Sequence, residues 1–372
     1  MKILISCLSH SWGGMEMFTV QSAEQLLKNN LDVYLFCLDG SSIDLNSGFI
    51  PEQKKLKVKS NAYFNLKNIF QLRRFLLQNE IDLIHTQFSK DLWTISPALM
   101  LIHKKIPLVF TKQLGSFIKK KDLLHRLIYK KVDKAIAISR VIKQNLHETT
   151  PLEEDKIVII PNVVDLEKFD PLKYDRDKVR NELGIDKQTF VFTNIARLSP
   201  GKGQDTIIKA IIPIKEKLQN ILFVFVGEAE KSEKFYEEYL LNLVKENSIS
   251  ELVKFLGFRK DIPEILSASD AFIFPSYAEA FGISLVEAMA MGLPNIVCNA
   301  DGVLDIIIEN ETSLVFNRDD IQKLSENILR LRFDDDLRKR LRFNSLDRSK
   351  EFSFEKYNEK VIQLYRGLKT NL

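Results

Sequence analysis

Two glutamates, Glu279 and Glu287, flank the start of a predicted helix and carry side chains that could bind a polar ligand. The apolar run Ala271–Phe274 ahead of them is typical of a buried strand, and the apolar residues from Ile283 to Met291 recur at helical spacing. The first turn of a helix offers free backbone N–H groups and a partial positive charge, which suit a phosphate. Glu287 would lie beside that phosphate, where its carboxylate could accept hydrogen bonds from both hydroxyl groups of a ribose. The same spacing fits one solvated glutamate and one that only favours the helix dipole.

A pair of cations forms a second candidate, in the segment RLSPGK that runs from Arg197 to Lys202. The segment follows the predicted strand Phe190–Ile195 and precedes a helix that starts at Gln204. Cations at the carboxyl end of a strand are well placed to bind an anion. The spacing of a Walker A motif is absent. Spacing alone also permits two solvated loop cations.

Both segments resemble the retaining nucleotide-sugar glycosyltransferases of family four, the group 1 transferases. The resemblance rests on the two glutamates with Phe281-Gly282 between them, on Gly-Leu-Pro after the helix, and on the cation pair. It covers most of the chain and is strongest from Ile160 to Phe316. It implies the GT-B fold, in which two doubly wound parallel-sheet α/β domains face each other across a cleft. The alternation of strand and helix along the chain independently predicts parallel sheets.

The resemblance also implies a set of site residues. Arg197 and Lys202 would hold the departing diphosphate, and Glu279 would lie beside the donor sugar; these three are the predicted catalytic residues. The predicted donor-binding residues are Gly13, Gly14, Gly227, Arg259, Phe281, Gly282, Ile283, Ser284, Leu285 and Glu287. His85 and Gln113 are the candidates on the acceptor or sugar side. No cofactor and no metal are expected, since Asp334-Asp335-Asp336 is interpreted as a helix cap.

Two positions depart from the family's pattern. The family often has a histidine where this chain has Gln87, and many members have a histidine where it has Gln113. Glutamine can hydrogen-bond a sugar hydroxyl but cannot shuttle a proton. These departures put any histidine-dependent step in doubt. For His85 itself, the interpretation as a structural histidine at the end of a strand is favoured over a functional role.

The length of 372 residues suffices for two domains with sizeable cores. The Pro-Asn turn at Pro161 and Asn162, followed by Pro171, marks the boundary. We predict an acceptor-side domain over residues 1–165, completed by a carboxyl-terminal helix over 353–372, and a nucleotide-sugar domain over 172–352. The three cysteines are scattered in apolar runs, which favours a reducing compartment.

Charge is distributed unevenly along the chain. Residues 1–168 hold 24 Lys and Arg against 17 Asp and Glu, whereas the remainder holds 30 against 33. The basic stretches are 117–132 and 54–74, and each is equally interpretable as a solvated helix face or as an attraction to anionic lipid. The charge comes with no nucleic-acid-binding motif. The predicted location is cytoplasmic, in line with the reducing compartment that the cysteines favour. The basic stretches add the expectation of peripheral contact with the inner face of the membrane.

The sequence thus predicts a retaining, metal-independent glycosyltransferase that moves a sugar from a nucleotide sugar to a glycan or lipid-linked acceptor. Cell-surface polysaccharide or glycolipid synthesis is the expected setting. Two alternatives stay open at this stage: a nucleotide-sugar epimerase of the same architecture, and a noncatalytic subunit that binds nucleotide sugars.

Overall fold

The computed structural model describes residues 1–370, which form two units. The first comprises Met1–Pro161 and the last helix, and the second comprises Asn162–Ser353. Each unit contains one parallel β-sheet with helices between successive strands. Within residues 1–370, no helix combines the length and apolar character needed to cross a bilayer.

The first unit is built on seven parallel strands in the order β3-β2-β1-β4-β5-β6-β7. The strands are β1 Lys2–Cys7, β2 Asp32–Leu38, β3 Lys55–Val58, β4 Leu83–Thr86, β5 Leu108–Lys112, β6 Lys134–Ala137 and β7 Ile157–Ile159. The helices are α1 Gly14–Lys28, α2 Ser42–Leu45, α3 Leu66–Gln78, α4 Leu92–Met100, α5 Leu123–Tyr129 and α6 Arg140–Thr149. The central strands are continuously apolar because helices cover both faces of the sheet.

The second unit is built on six parallel strands in the order β10-β9-β8-β11-β12-β13. The strands are β8 Phe190–Ile195, β9 Ile221–Val226, β10 Val253–Phe255, β11 Ala271–Phe274, β12 Asn295–Cys298 and β13 Ser313–Phe316. The helices are α7 Arg176–Leu183, α8 Gln204–Ile211, α9 Lys234–Glu246, α10 Ile262–Ala268, α11 Ile283–Ala290, α12 Ile321–Phe333 and α13 Asp335–Ser349. Stacked rings of Phe192 and Phe223, 5.1 Å apart, lie in its core.

The last helix, α14 Phe354–Thr370, returns to the first unit. Its apolar stripe buries Tyr357, Val361 and Tyr365. The ring of Tyr357 meets that of Phe18 edge-on at a centroid distance of 5.2 Å. The helix therefore contributes to the core of the first unit although it follows the second in sequence.

The basic stretch 54–74 differs from the sequence prediction of a solvated or lipid-facing helix, because its first part is the strand β3. Lys54 pairs with Asp32 at 2.6 Å, Lys55 lies 3.1 Å from Glu52, and Lys57 lies 2.7 Å from the same carboxylate. Acidic residues from other segments thus neutralise lysines that have no acidic neighbour within the stretch. Much of the charge assigned to this stretch is not free to attract a partner.

Candidate functional site

The candidate site lies at the carboxyl edge of the six-stranded sheet, where four loops meet. Strand β8 is the point at which the strand order reverses, with β9 on one side and β11 on the other. In open α/β sheets the crevice beside such a reversal is where ligands bind. The loops that follow β8, β9, β10 and β11 carry seven of the sequence-predicted site residues, and four more, Ile283, Ser284, Leu285 and Glu287, lie in α11.

Two glycines let these loops approach each other at backbone distance. Gly227 has φ +134°, and a Cβ there would lie 2.0 Å from the carbonyl oxygen of Ala196. Gly203 has φ +75°, and a Cβ there would lie 2.6 Å from the carbonyl oxygen of Pro275. No side chain fits at either position. The loop after β8 is therefore clamped between the loops that follow β9 and β11.

Lys202 and Glu279, both predicted catalytic residues, are brought together by this packing. Lys202 Nζ lies 2.5 Å from Glu279 Oε1, across 77 residues of sequence. The backbone N–H of Tyr277 donates to the carbonyl of Gly201 at 3.3 Å and joins the two loops. Both side chains are largely shielded, with exposed fractions of 26% for Lys202 and 17% for Glu279. The pair is a charge-assisted contact that can orient either group toward a ligand.

Arg197 is also at this edge, but its guanidinium faces carboxylates. Arg197 forms an ion pair with Glu230, and its Nε lies 3.5 Å from Glu233 Oε2. Its backbone is fixed by Gln204, whose amide Nε2 donates to the carbonyl of Arg197 at 2.9 Å. The side chain is 47% exposed, so the guanidinium can exchange a carboxylate for another anion at small cost.

A pocket of about 450 Å³ joins three predicted residues, Arg197, Gly227 and Arg259. Phe258 adds an aromatic wall and is 62% exposed. Arg259 Nε lies 2.8 Å from Asp261 Oδ1, and that carboxylate raises the pKa of Arg259. The pocket lies within the usual size range of small-molecule sites. Its aromatic wall, next to two guanidinium groups, suits a planar group linked to an anion.

Helix α11 points its first turn at the same edge. Gly282 caps it with φ +113°, and Ser284 Oγ donates to the carbonyl of Ile195 at 3.2 Å. The first N–H groups of a helix have no partners within that helix. Ile283 is 39% exposed there, whereas the side chains of Phe281 and Leu285 are buried in the core, and the N–H of Leu285 already donates to the carbonyl of Gly282 at 3.1 Å.

Glu287 lies one turn into α11 and is partly buried. Burial raises the pKa of its carboxyl to about 7, and the positive charge of Lys168 opposes that shift. Since burial disfavours the charged form of this carboxyl group, ligand hydroxyl groups that donate hydrogen bonds to it would stabilise the carboxylate.

The other predicted residues lie in the first unit. Gly13 caps helix α1, and its N–H donates to Glu16 Oε2 at 3.0 Å. Gly14 begins the helix, and a Cβ there would meet no atom within 4 Å. Neither glycine is required by the packing of the chain itself. The space beside this helix start is therefore open to a ligand. The resemblance implied that both glycines bind the donor.

His85 is held inside the first unit by its neighbours. His85 Nδ1 lies 2.5 Å from the hydroxyl of Tyr365, and His85 Nε2 lies 2.6 Å from Thr111 Oγ1. Gln87 Nε2 lies 3.3 Å from His85 Nε2, and Gln113 donates to Gln87 Oε1 at 3.4 Å. Burial lowers the pKa of His85 to about 3. This geometry favours the structural interpretation of His85, whereas Gln113 retains a small exposed fraction of 9%.

Several residues at the site went unrecognised in the sequence. Glu230 and Glu233 hold Arg197, and Phe258 lines the pocket. Their positions in the sequence could have identified them, because all three follow parallel strands at the edge of the sheet where the predicted cations lie. The interpretation of Asp334 as a helix cap is confirmed, since its Oδ1 accepts from the N–H of Leu337 at 2.9 Å. Within the described part of the chain, no three His, Cys, Asp or Glu side chains are grouped to hold a metal ion.

Comparison with known proteins places both halves of the chain in glycosyltransferase families. Residues 12–168 match the family "Glycosyltransferase Family 4", and residues 175–348 match "Glycosyl transferases group 1". One similar protein is the Escherichia coli UDP-Gal:alpha-D-GlcNAc-diphosphoundecaprenol alpha-1,3-galactosyltransferase. It is 28% identical over 317 residues, which cover 80% of this chain and 79% of that protein.

A second relative is the Campylobacter jejuni N,N'-diacetylbacillosaminyl-diphospho-undecaprenol alpha-1,3-N-acetylgalactosaminyltransferase, 28% identical over 322 residues and covering 82% of each chain. Among solved structures, a Rickettsia africae glycosyltransferase superimposes with a TM-score of 0.87 at 20% identity, over 100% of this chain and 99% of that one. Anabaena HepE in complex with UDP gives a TM-score of 0.82 at 22% identity, over 99% and 100%. These likenesses confirm the predicted GT-B fold.

Proposed function

Because the chain belongs to the group 1 glycosyl transferases with a family 4 amino-terminal region, we propose that it transfers a sugar from a nucleoside diphosphate sugar with retention and without a metal ion. The observation that carries the proposal is the contact between Lys202 and Glu279, 2.5 Å apart beside the start of α11. This contact brings together a cation for the leaving group and a carboxylate for the donor sugar. Arg197 lies on the adjoining loop.

The proposed chemistry is stabilisation of a departing diphosphate. As the bond between the anomeric carbon and the diphosphate oxygen breaks, negative charge grows on that oxygen. Lys202, Arg197 and the first N–H groups of α11 all present positive charge to it, so they act more strongly on the transition state than on the bound donor. Arg197 would exchange Glu230 for the diphosphate. The acceptor oxygen then bonds to the anomeric carbon on the same face, and its proton passes to the departing diphosphate.

The donor's other parts have matching places in the second unit. Glu287 would accept the ribose hydroxyls, and the base would lie in the pocket between Phe258 and Arg259. Bound UDP in the similar Anabaena HepE supports a uridine nucleotide as the first donor to test. The first unit would then receive the acceptor.

We propose a lipid-linked acceptor, in the synthesis of a cell-surface polysaccharide or glycolipid. The names of the Escherichia coli and Campylobacter jejuni relatives both specify acceptors on undecaprenyl diphosphate. Such an acceptor stays in a membrane, so the enzyme must reach the membrane surface. The named relatives are transferases, and nothing in them favours the epimerase alternative.

The surface proposed to meet the membrane is the segment 114–131 of the first unit. Its apolar side chains Phe117, Ile118 and Leu123 are 106%, 70% and 85% exposed. Lys119 and Lys121 lie among them, and neither forms an ion pair with a described residue. Exposed apolar side chains next to unpaired lysines suit an anionic bilayer surface.

The test is a transfer assay with a panel of UDP-sugars and a sugar-diphosphate polyprenol acceptor. The configuration of the new glycosidic bond is then assigned by NMR. The proposal expects an α-linked product from an α-linked donor. A β-linked product would overturn retention. Tight donor binding without transfer to any acceptor would favour the noncatalytic alternative.

A further inference from the structure

A second pocket, in the first unit, has walls of aromatic rings and lysines that the donor site does not use. It measures about 360 Å³. We call it the aromatic pocket, and its lining residues are Tyr63, Ser89, Lys90, Trp93, Lys120, His125 and Tyr129. All of them belong to the first unit. The pocket is thus formed within one unit.

The aromatic wall is preformed because its rings hold one another. The indole of Trp93 is met edge-on by Tyr63 at 5.3 Å and by His125 at 5.1 Å between centroids. His125 Nδ1 is fixed in turn by Asp122 Oδ2 at 2.5 Å. Edge-to-face rings at such distances attract each other. A rigid aromatic wall of this kind packs well against the apolar face of a sugar ring.

Neither lysine of the pocket forms an ion pair with a residue that the structure describes. Lys90 Nζ lies 4.8 Å from the ring centre of Tyr63 and 3.3 Å from the neutral oxygen of Asn61. Lys120 forms no ion pair with any residue among 1–370. Burial lowers the pKa of Lys120, and burial together with the charge of Lys120 lowers the pKa of Lys112 to about 8. Partly buried ammonium groups that repel each other are stabilised by a bound anion.

The chain holds Lys120 firmly and presents apolar side chains beside it. The N–H of Lys120 donates to the carbonyl of Thr149 at 2.6 Å. Asn145 Oδ1 accepts from the N–H of Ser116 at 2.8 Å, and its amide donates back to the carbonyl of Ser116 at 3.0 Å. Phe117 and Ile118, between these anchors, therefore stay exposed. A ligand with an anionic head in the pocket and an apolar tail would cover them.

We propose that the aromatic pocket binds the diphosphate head of a polyprenyl-diphosphate-sugar acceptor, with Lys90 and Lys120 on the phosphates and the first sugar on Trp93. The proposal deepens the proposed function, on which it rests for the class of acceptor. A nucleotide would supply an anion and a ring but no tail for Phe117 and Ile118. A free phospholipid would supply a tail but no sugar for the aromatic wall.

The test uses farnesyl diphosphate as the probe and the fluorescence of Trp93 as the signal. The chain has two tryptophans, so Trp12→Phe leaves Trp93 as the single reporter. We expect saturable quenching by farnesyl diphosphate, weaker binding of inorganic pyrophosphate, and none of farnesol. Equal binding of farnesol would show a purely apolar surface and overturn the proposal. Displacement of the probe by UDP would place it in the donor site, with the same consequence.

Lys120→Gln and Lys121→Gln form a matched pair, because they remove the same charge from neighbouring residues. Of these two lysines, only Lys120 lines the pocket. Lys120→Gln should weaken probe binding about tenfold or more, the usual effect of losing one hydrogen bond to a charged group. Lys121→Gln should leave probe affinity unchanged while weakening adhesion to anionic vesicles as much as Lys120→Gln does. If both changes weaken probe binding equally, the probe is attracted by general surface charge and not by the pocket, and the assignment is overturned.

Two further measurements keep the outcome decisive. Lys120→Arg should restore probe affinity, and Lys90→Gln should reproduce the loss if Lys120→Gln fails to fold. The titrations contain no donor, so they report on the pocket even if no transfer is found. If the unmodified enzyme transfers and Lys120→Gln leaves the acceptor KM unchanged, the pocket assignment fails while the proposed function stands.

Discussion

Replacement of Lys202 by alanine tests the proposed catalytic role most directly. The change removes the ammonium group that lies 2.5 Å from Glu279 at the carboxyl edge of the sheet. It leaves the backbone of the loop in place, since that is fixed by Gly203 and by the N–H of Tyr277. The effect therefore reports the lost charge rather than a displaced loop.

The size of the effect follows from the partial burial of the Lys202 side chain. A unit charge about 4 Å from another contributes about 4 kcal/mol at an effective dielectric constant of about 20. The side chain keeps 26% of its exposure, so solvent screening reduces that contribution to about 3 kcal/mol. Because the departing oxygen of the diphosphate gains negative charge as the sugar leaves, the ammonium group acts more strongly on the transition state than on the bound donor. Turnover should fall roughly a hundredfold, and donor affinity should fall much less.

The assay pairs calorimetry of UDP binding with product formation under donor saturation. Lys217→Ala is the matched control, because Lys217 is exposed and precedes strand β9, at the opposite edge of the sheet. It should change neither quantity. If Lys202→Ala transfers as fast as the unmodified enzyme, the assignment of the leaving-group cation is wrong. If UDP affinity falls while turnover under donor saturation is unchanged, Lys202 is only a binding residue.

Four further predictions can be checked with the same preparations. Glu279→Gln should leave UDP affinity unchanged and lower kcat by impairing contact with the donor sugar; a parallel loss of UDP affinity would contradict that role. Glu287→Gln should weaken donor and UDP binding alike, as calorimetry would show. It should also stabilise the unliganded fold by up to about 3 kcal/mol at pH 8 in denaturant titrations. The folded-state pKa of Glu287 is raised, so the unmodified protein loses stability as the pH rises from about 4.5 to 7, and the two proteins should converge below that window. Transfer should survive saturating chelator, and a complete loss that Mg²⁺ or Mn²⁺ restores would refute metal independence. Binding to anionic vesicles should weaken with added salt, because exposed charges are screened over about 8 Å at physiological ionic strength, and equal binding to neutral vesicles would count against it.

The strands and the edge that carries the site were predictable because each is fixed by a local pattern. Continuous apolar runs such as Phe190–Ile195 identify buried parallel strands, and parallel strands bring their carboxyl ends to one edge. Strand β3 was not predicted, because its alternating lysines resemble a solvated basic stretch. Its identity depends on pairing with β2 and on carboxylates from Asp32 and Glu52.

The geometry inside the site was less predictable, since it depends on how loops meet across long stretches of sequence. The resemblance named Lys202 and Glu279, but their contact requires the left-handed backbone of Gly203 and the closeness of Pro275. The resemblance also could not show that Arg197 forms an ion pair with Glu230. Such ion pairs follow from side-chain placement on exposed loops, which no short pattern encodes.

The glutamines that depart from the family's pattern fit the network around His85. The network assigns the proton of His85 to Nδ1, which donates to Tyr365, while Nε2 accepts from the hydroxyl of Thr111 and the amide of Gln87. A histidine at position 87 or 113 would bring a second titratable ring beside one whose pKa burial lowers to about 3. A glutamine instead donates and accepts hydrogen bonds while it stays neutral. It therefore completes the network without the free-energy cost of burying a charge. In the proposed reaction the departing diphosphate takes the acceptor's proton, so transfer does not need a histidine at either position.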